Sequence, residues 1–74
     1  MKTYDLTTLL SKSEFIKFEE KLGLKSLTEN KVYIKPAFFR KDLFKIKSIL
    51  SKNNFKNFIQ ILKEDSEIIY TKLS

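Results

Sequence analysis

A chain of 74 residues without a cysteine or a histidine offers no disulfide, no thiolate metal site, no thiol nucleophile and no imidazole base. Its seven Phe and three Tyr within 42% hydrophobic content exclude a disordered tail, because they supply ample apolar surface for a core. A formal net charge of +6 points toward an anionic partner. The length fits one domain, residues 1–74.

The first ten residues read in two ways. Thr3-Tyr4-Asp5-Leu6 suits a short strand, and Asp5 equally suits the cap of a helical turn carrying Leu6, Leu9 and Leu10. The apolar phase changes at Ser11-Lys12-Ser13, so a break belongs there. A helix is expected over about Ser13–Leu22, with Phe15, Phe18 and Leu22 as its apolar stripe. Ser11 and Glu14 have capping-box spacing. Gly23, the one glycine, stands where a left-handed residue ends a helix.

Leu24 to Lys35 reads as extended. Val32-Tyr33-Ile34-Lys35 has strand character and Pro36 closes it. With Thr28-Glu29-Asn30-Lys31 as a turn, a hairpin between residues 24–27 and 32–35 is the expected arrangement.

Pro36–Lys52 reads as one long amphipathic helix. Phe39, Leu43, Ile46 and Leu50 recur at i, i+4, i+7 and i+11, and Phe38 and Ile49 widen the stripe enough to meet more than one neighbour. The opposite face carries Arg40, Lys41, Lys47, Ser48, Ser51 and Lys52, with Phe44 among them. Phe44 is out of phase with the core. It is covered by another element, or the helix bends, or the ring is an exposed anchor in a basic field.

Asn53-Asn54 is expected to break this helix. A further helix follows over about Asn54–Glu64, with Phe55, Phe58, Ile59 and Leu62 inward and Lys56, Asn57, Gln60 and Lys63 outward. Residues 67–73 are β-branched and aromatic and read as a strand. The expected fold is therefore α+β: about three helices with a short antiparallel sheet made of the hairpin near 24–35 and the strand near 67–73.

Charge is unevenly placed. Residues 1–23 and 54–74 are each balanced. Residues 24–53 hold Lys25, Lys31, Lys35, Arg40, Lys41, Lys45, Lys47 and Lys52 against only Glu29 and Asp42. The excess positive charge of the chain thus sits in its middle third, as an electrostatic footprint for an anion would.

Enzyme chemistry is not expected. Glu19-Glu20 and Glu64-Asp65-Glu67 are the only acidic clusters, and adjacent helical residues do not face one another, so both read as solvated surface. One glycine cannot build a phosphate-binding loop. No catalytic residue, cofactor or metal is assigned.

Binding fits better. Two helices joined by a short Asn-Asn turn resemble a helix-turn-helix hairpin in architecture, though no family motif accompanies the outline. In that arrangement Lys56, Asn57, Gln60 and Lys63 would face phosphates and base edges, with Arg40, Lys41, Lys47 and Lys52 on phosphates. The leading expectation is a small non-enzymatic nucleic-acid-binding or regulatory protein. The alternative is a phage- or plasmid-encoded inhibitor that occludes an acidic host protein surface through Phe44, with the lysines speeding association. The scarcity of Gly, Pro and Trp beside abundant Lys, Ile, Asn and Phe matches AT-rich coding, as in many bacteriophages. Residues 1–10 lack the pattern of a secretory leader and no apolar run is long enough to span a bilayer. The expected setting is the cytoplasm, that of the host if phage-encoded, with no membrane partner. A core this small without staples makes a homodimer a further expectation.

Overall fold

The computed structural model describes residues 2–27 and 29–72. In chain order the elements are β1 (Thr3–Asp5), α1 (Leu6–Leu9), α2 (Lys12–Lys21), a 3-10 turn (Leu24–Ser26), β2 (Lys31–Ile34), α3 (Pro36–Arg40), α4 (Leu43–Ile49), α5 (Lys52–Lys63) and β3 (Glu67–Thr71). This is an α+β fold, as the sequence patterns indicate.

Both readings of the amino-terminal segment hold, one after the other. Thr3–Asp5 is a strand, and Asp5 then caps α1, its Oδ1 accepting from the Thr7 backbone N–H at 3.0 Å. Helix α2 opens on the expected capping box. Ser11 Oγ accepts from the Glu14 backbone N–H at 3.3 Å, and Glu14 Oε1 accepts from the Ser11 N–H at 2.9 Å. Gly23 ends it in the left-handed region at φ 68°, where a side chain costs about 1–2 kcal/mol.

The expected hairpin over residues 24–35 does not form. The chain leaves Gly23 directly into the 3-10 turn, with the Ser26 and Leu27 N–H groups donating to Gly23 and Leu24 carbonyls. This turn buries Leu24 completely. Thr28, part of the expected turn, lies outside the described residues. Strand β2 instead pairs antiparallel with β3, Tyr33 opposite Ile69 and Ile34 opposite Ile68. β1 runs parallel to β3 on the other side, Tyr4 opposite Ile68. The sheet is therefore mixed, in the order β1-β3-β2. β3 ends at Thr71; Leu73, also expected in this strand, lies outside the described residues.

The expected long helix from Pro36 is two helices. Lys41 and Asp42 interrupt it, the Asp42 N–H donating three residues back to Phe39 rather than four. The cause is packing. α3 lies against α5 and α4 lies against α2, so one apolar stripe serves two partners only by turning between them. Pro36 occupies the first turn of α3, where its missing N–H costs nothing.

The Asn53-Asn54 break also falls elsewhere. Leu50 and Ser51 are extended and separate α4 from α5. Ser51 caps α5, accepting from the Asn54 N–H at 3.2 Å, and both asparagines lie inside the helix. Asn54 tolerates that position because its side-chain amide donates to Glu14 Oε1 at 2.7 Å.

The core is aromatic at its centre. Phe18, Phe39 and Phe58 come from α2, α3 and α5, with ring centroids 5.3 to 6.0 Å apart. The Phe18–Phe58 and Phe39–Phe58 pairs are edge-to-face, and each such pair contributes about 0.5–1.5 kcal/mol beyond the area it buries. Leu6, Leu24, Ile46, Ile68 and Tyr70 complete the fully buried set around them. Phe58, Ile61 and Leu62 anchor α5 in this core, and that fixes which face of α5 looks outward.

Candidate nucleic-acid interface

With Phe58, Ile61 and Leu62 buried, helical periodicity sends Lys52, Asn53, Lys56, Asn57, Gln60 and Lys63 outward, and all six are exposed. This face carries amines and amides and not one carboxylate. Along its flank an open groove of about 510 Å³ is lined by Lys47 from α4 and by Lys52, Phe55, Lys56, Ile59, Gln60 and Lys63 from α5. Phe55 and Ile59 are half-buried and packed against the core, so they form an apolar floor. The four lysines rise around it.

None of these lysines is in an ion pair among the described residues. The ion pair found there joins Arg40 to Asp65 at 4.0 Å, both side chains well exposed. No acidic side chain lines the groove, so its field is that of four uncompensated ammonium groups.

Five of the expected site residues thus come together: Lys47, Lys52, Lys56, Gln60 and Lys63. Four do not line the groove. Asn57 is exposed on the adjacent strip of α5. Lys41 lies in the turn between α3 and α4, its Nζ 5.5 Å from the Phe38 ring centroid. Phe44 stands on the outer side of α4, 92% exposed. The turn before α4 therefore does not bring it into the core, and no other element among the described residues covers it. Arg40, the one arginine of the chain, is committed elsewhere. Its Nη2 donates to the Leu62 carbonyl at 2.7 Å, placing a cation at the carboxyl-terminal end of α5, where the helix dipole favours it.

The middle third does not act as a unit either. The groove draws Lys47 and Lys52 from it, but Lys56 and Lys63 from the last third. Phe55 and Ile59 belong to the groove as much as to the core, a dual role that the sequence reading missed. Their signal was present, since Phe55 is three residues from Lys52 and Ile59 is three from Lys56 and four from Lys63.

One acidic expectation is corrected. Glu19 is not solvated: it is 5% exposed, and the Tyr70 hydroxyl donates to its Oε2 at 2.5 Å. This carboxylate is a satisfied core group and does not line the lysine groove. Among the described residues no three acidic side chains gather as a metal site, and no helix is long and apolar enough to cross a membrane.

Comparison with protein-family models, with curated proteins and with solved structures found no match to this chain.

Proposed function

We propose that the protein is a small, non-enzymatic nucleic-acid-binding protein of the cytoplasm whose contact surface is the outer face of α5 and the adjoining groove. The observation that carries this reading is the gathering of Lys47, Lys52, Lys56 and Lys63 around one groove with no carboxylate in its lining. Lysines held as point charges on a helix suit phosphates. The exposed amides of Asn57 and Gln60 add donors and acceptors suited to base edges. The α4–α5 pair, joined through Leu50 and Ser51, supplies the helix-turn-helix-like frame.

Fluorescence anisotropy with labelled DNA and RNA, read over a series of salt concentrations, tests the reading. Binding driven by four phosphate contacts gives a slope of log K against log salt of about −3 to −4. A flat titration at low ionic strength overturns it. Light scattering on the same samples reports whether a homodimer is the binding species.

A second reading rests on Phe44. An aromatic side chain this exposed, beside Lys41, Lys45 and Lys47, suits an anchor for an acidic protein surface with an apolar pocket. On that reading the chain is a phage- or plasmid-encoded inhibitor of a host protein. Phe44→Ser then abolishes a nuclease-resistant complex recovered from host lysate while leaving nucleic-acid affinity unchanged. Loss of the complex on nuclease treatment refutes this second reading.

A further inference from the structure

The groove has a feature that a phosphate-binding surface does not need. Phosphates call for the lysines alone, yet the floor between those lysines is apolar, made by Phe55 and Ile59. In a duplex the base faces are stacked on one another, and the outside of the rod is sugar and phosphate. A duplex laid across this groove would press its polar backbone against an apolar floor and gain nothing from it. An unpaired strand is different, because every base has an open apolar face and a flexible backbone that carries its phosphate to the side.

Size agrees with that occupant. About 510 Å³ falls within the ~300–1,000 Å³ range of clefts that hold small organic ligands. It is room for a nucleotide.

The disposition of Arg40 bears on specificity. Bidentate contacts from arginine to guanine are the commonest base-specific contact in duplex recognition. The one arginine here is spent on the Leu62 carbonyl and on Asp65. The lysines that remain are flexible point charges without the planar guanidinium fork.

We infer that the groove is a seat for single-stranded nucleic acid, with an unpaired base packed on Phe55 and Ile59 and the flanking phosphates held by Lys47, Lys52, Lys56 and Lys63. This rests on the nucleic-acid reading above and narrows it to one substrate class, unpaired strands.

The test uses the full chain and four labelled probes of equal length: oligothymidylate, oligouridylate, a duplex, and an abasic deoxyribose-phosphate strand. Each single-stranded base-bearing probe binds about tenfold or more tightly than the abasic strand, since one base stacked on an aromatic side chain accounts for roughly five- to a hundredfold in affinity. Either one also outcompetes the duplex. Phe55→Leu keeps most of the apolar volume and weakens the base-bearing strands about five- to tenfold, with the abasic strand unchanged. Equal affinity for base-bearing and abasic strands, or a preference for duplex, overturns the inference and leaves the broader nucleic-acid reading standing. Absence of binding to all four at low salt overturns both. The probe comparison needs no variant, so it stands even where Phe55→Leu fails to fold.

Discussion

The Ser51 backbone N–H donates to Glu14 Oε2 at 2.7 Å, across 37 positions of sequence. The same carboxylate accepts from the Ser11 N–H and from the Asn54 side chain through Oε1. One side chain, 8% exposed, thereby closes the start of α2 and pins the junction between α4 and α5. Burial alone would raise the Glu14 pKa. The hydrogen bonds from Ser11, Ser51 and Asn54 outweigh it and hold the group below the usual glutamate value.

That depression sets a direction in pH. The stabilisation from Glu14 is fully present above the ordinary glutamate pKa of about 4.3 and is lost as pH falls through the lower folded value. Glu14→Gln costs about 1–3 kcal/mol at neutral pH, the range for hydrogen bonds to a charged group. Urea unfolding at pH 7 and again near pH 3 checks it. The gap between wild type and variant narrows in acid; a gap that stays constant contradicts the assignment.

Tyr70 and Glu19 give a second case with the opposite sign. Tyr70→Phe removes the hydroxyl and leaves a buried carboxylate short of its donor, a loss of about 1–3 kcal/mol measured by the same unfolding assay. Burial, then the hydrogen bond to Glu19 and its charge, push the Tyr70 pKa up. The wild type therefore keeps this stabilisation below the usual tyrosine value of about 10 and loses it as pH rises through the folded value. The Phe variant lacks that alkaline decline, and a decline of equal size in both proteins would refute the pairing.

Gly23→Ala isolates backbone strain. A Cβ at residue 23 would meet nothing within 4 Å, while φ is +68°. The whole cost is therefore conformational, about 1–2 kcal/mol, readable as a lowered urea midpoint with an unchanged slope. A neutral result would mean that the turn relaxes elsewhere.

Lys56→Ala and Lys63→Ala probe the groove. Each removes one phosphate contact and makes the salt slope for a single strand about 0.7 shallower, with thermal stability within about 0.5 kcal/mol because both side chains are exposed. Arg40→Ala leaves the slope unchanged, because that guanidinium faces Leu62 and Asp65 instead of the groove.

What the sequence revealed was local in origin. The Ser11–Glu14 box, the left-handed Gly23 and Pro36 opening a helix are each decided within a few residues, so spacing displays them. Decisions made at a distance were hidden. Asn54 reads as a helix breaker until Glu14 is placed beside it. Lys41-Asp42 reads as helix until α2 and α5 are seen to compete for one stripe. β2 reads as half of a hairpin because its partner lies beyond three further helices. On the surface side, exposed lysines on α5 follow from periodicity alone, but the groove does not. It requires knowing that Lys47 of α4 ends up opposite Phe55 and Ile59.

The order β1-β3-β2 has a kinetic meaning as well. The centre of the sheet is its latest strand to be synthesised, and neither edge strand has a neighbour until residues 67–71 exist. Helices can assemble early on the nascent polypeptide, but the sheet must zip in one late event. A chain ended before Glu67 would therefore be a helical, protease-sensitive intermediate with two orphaned β segments.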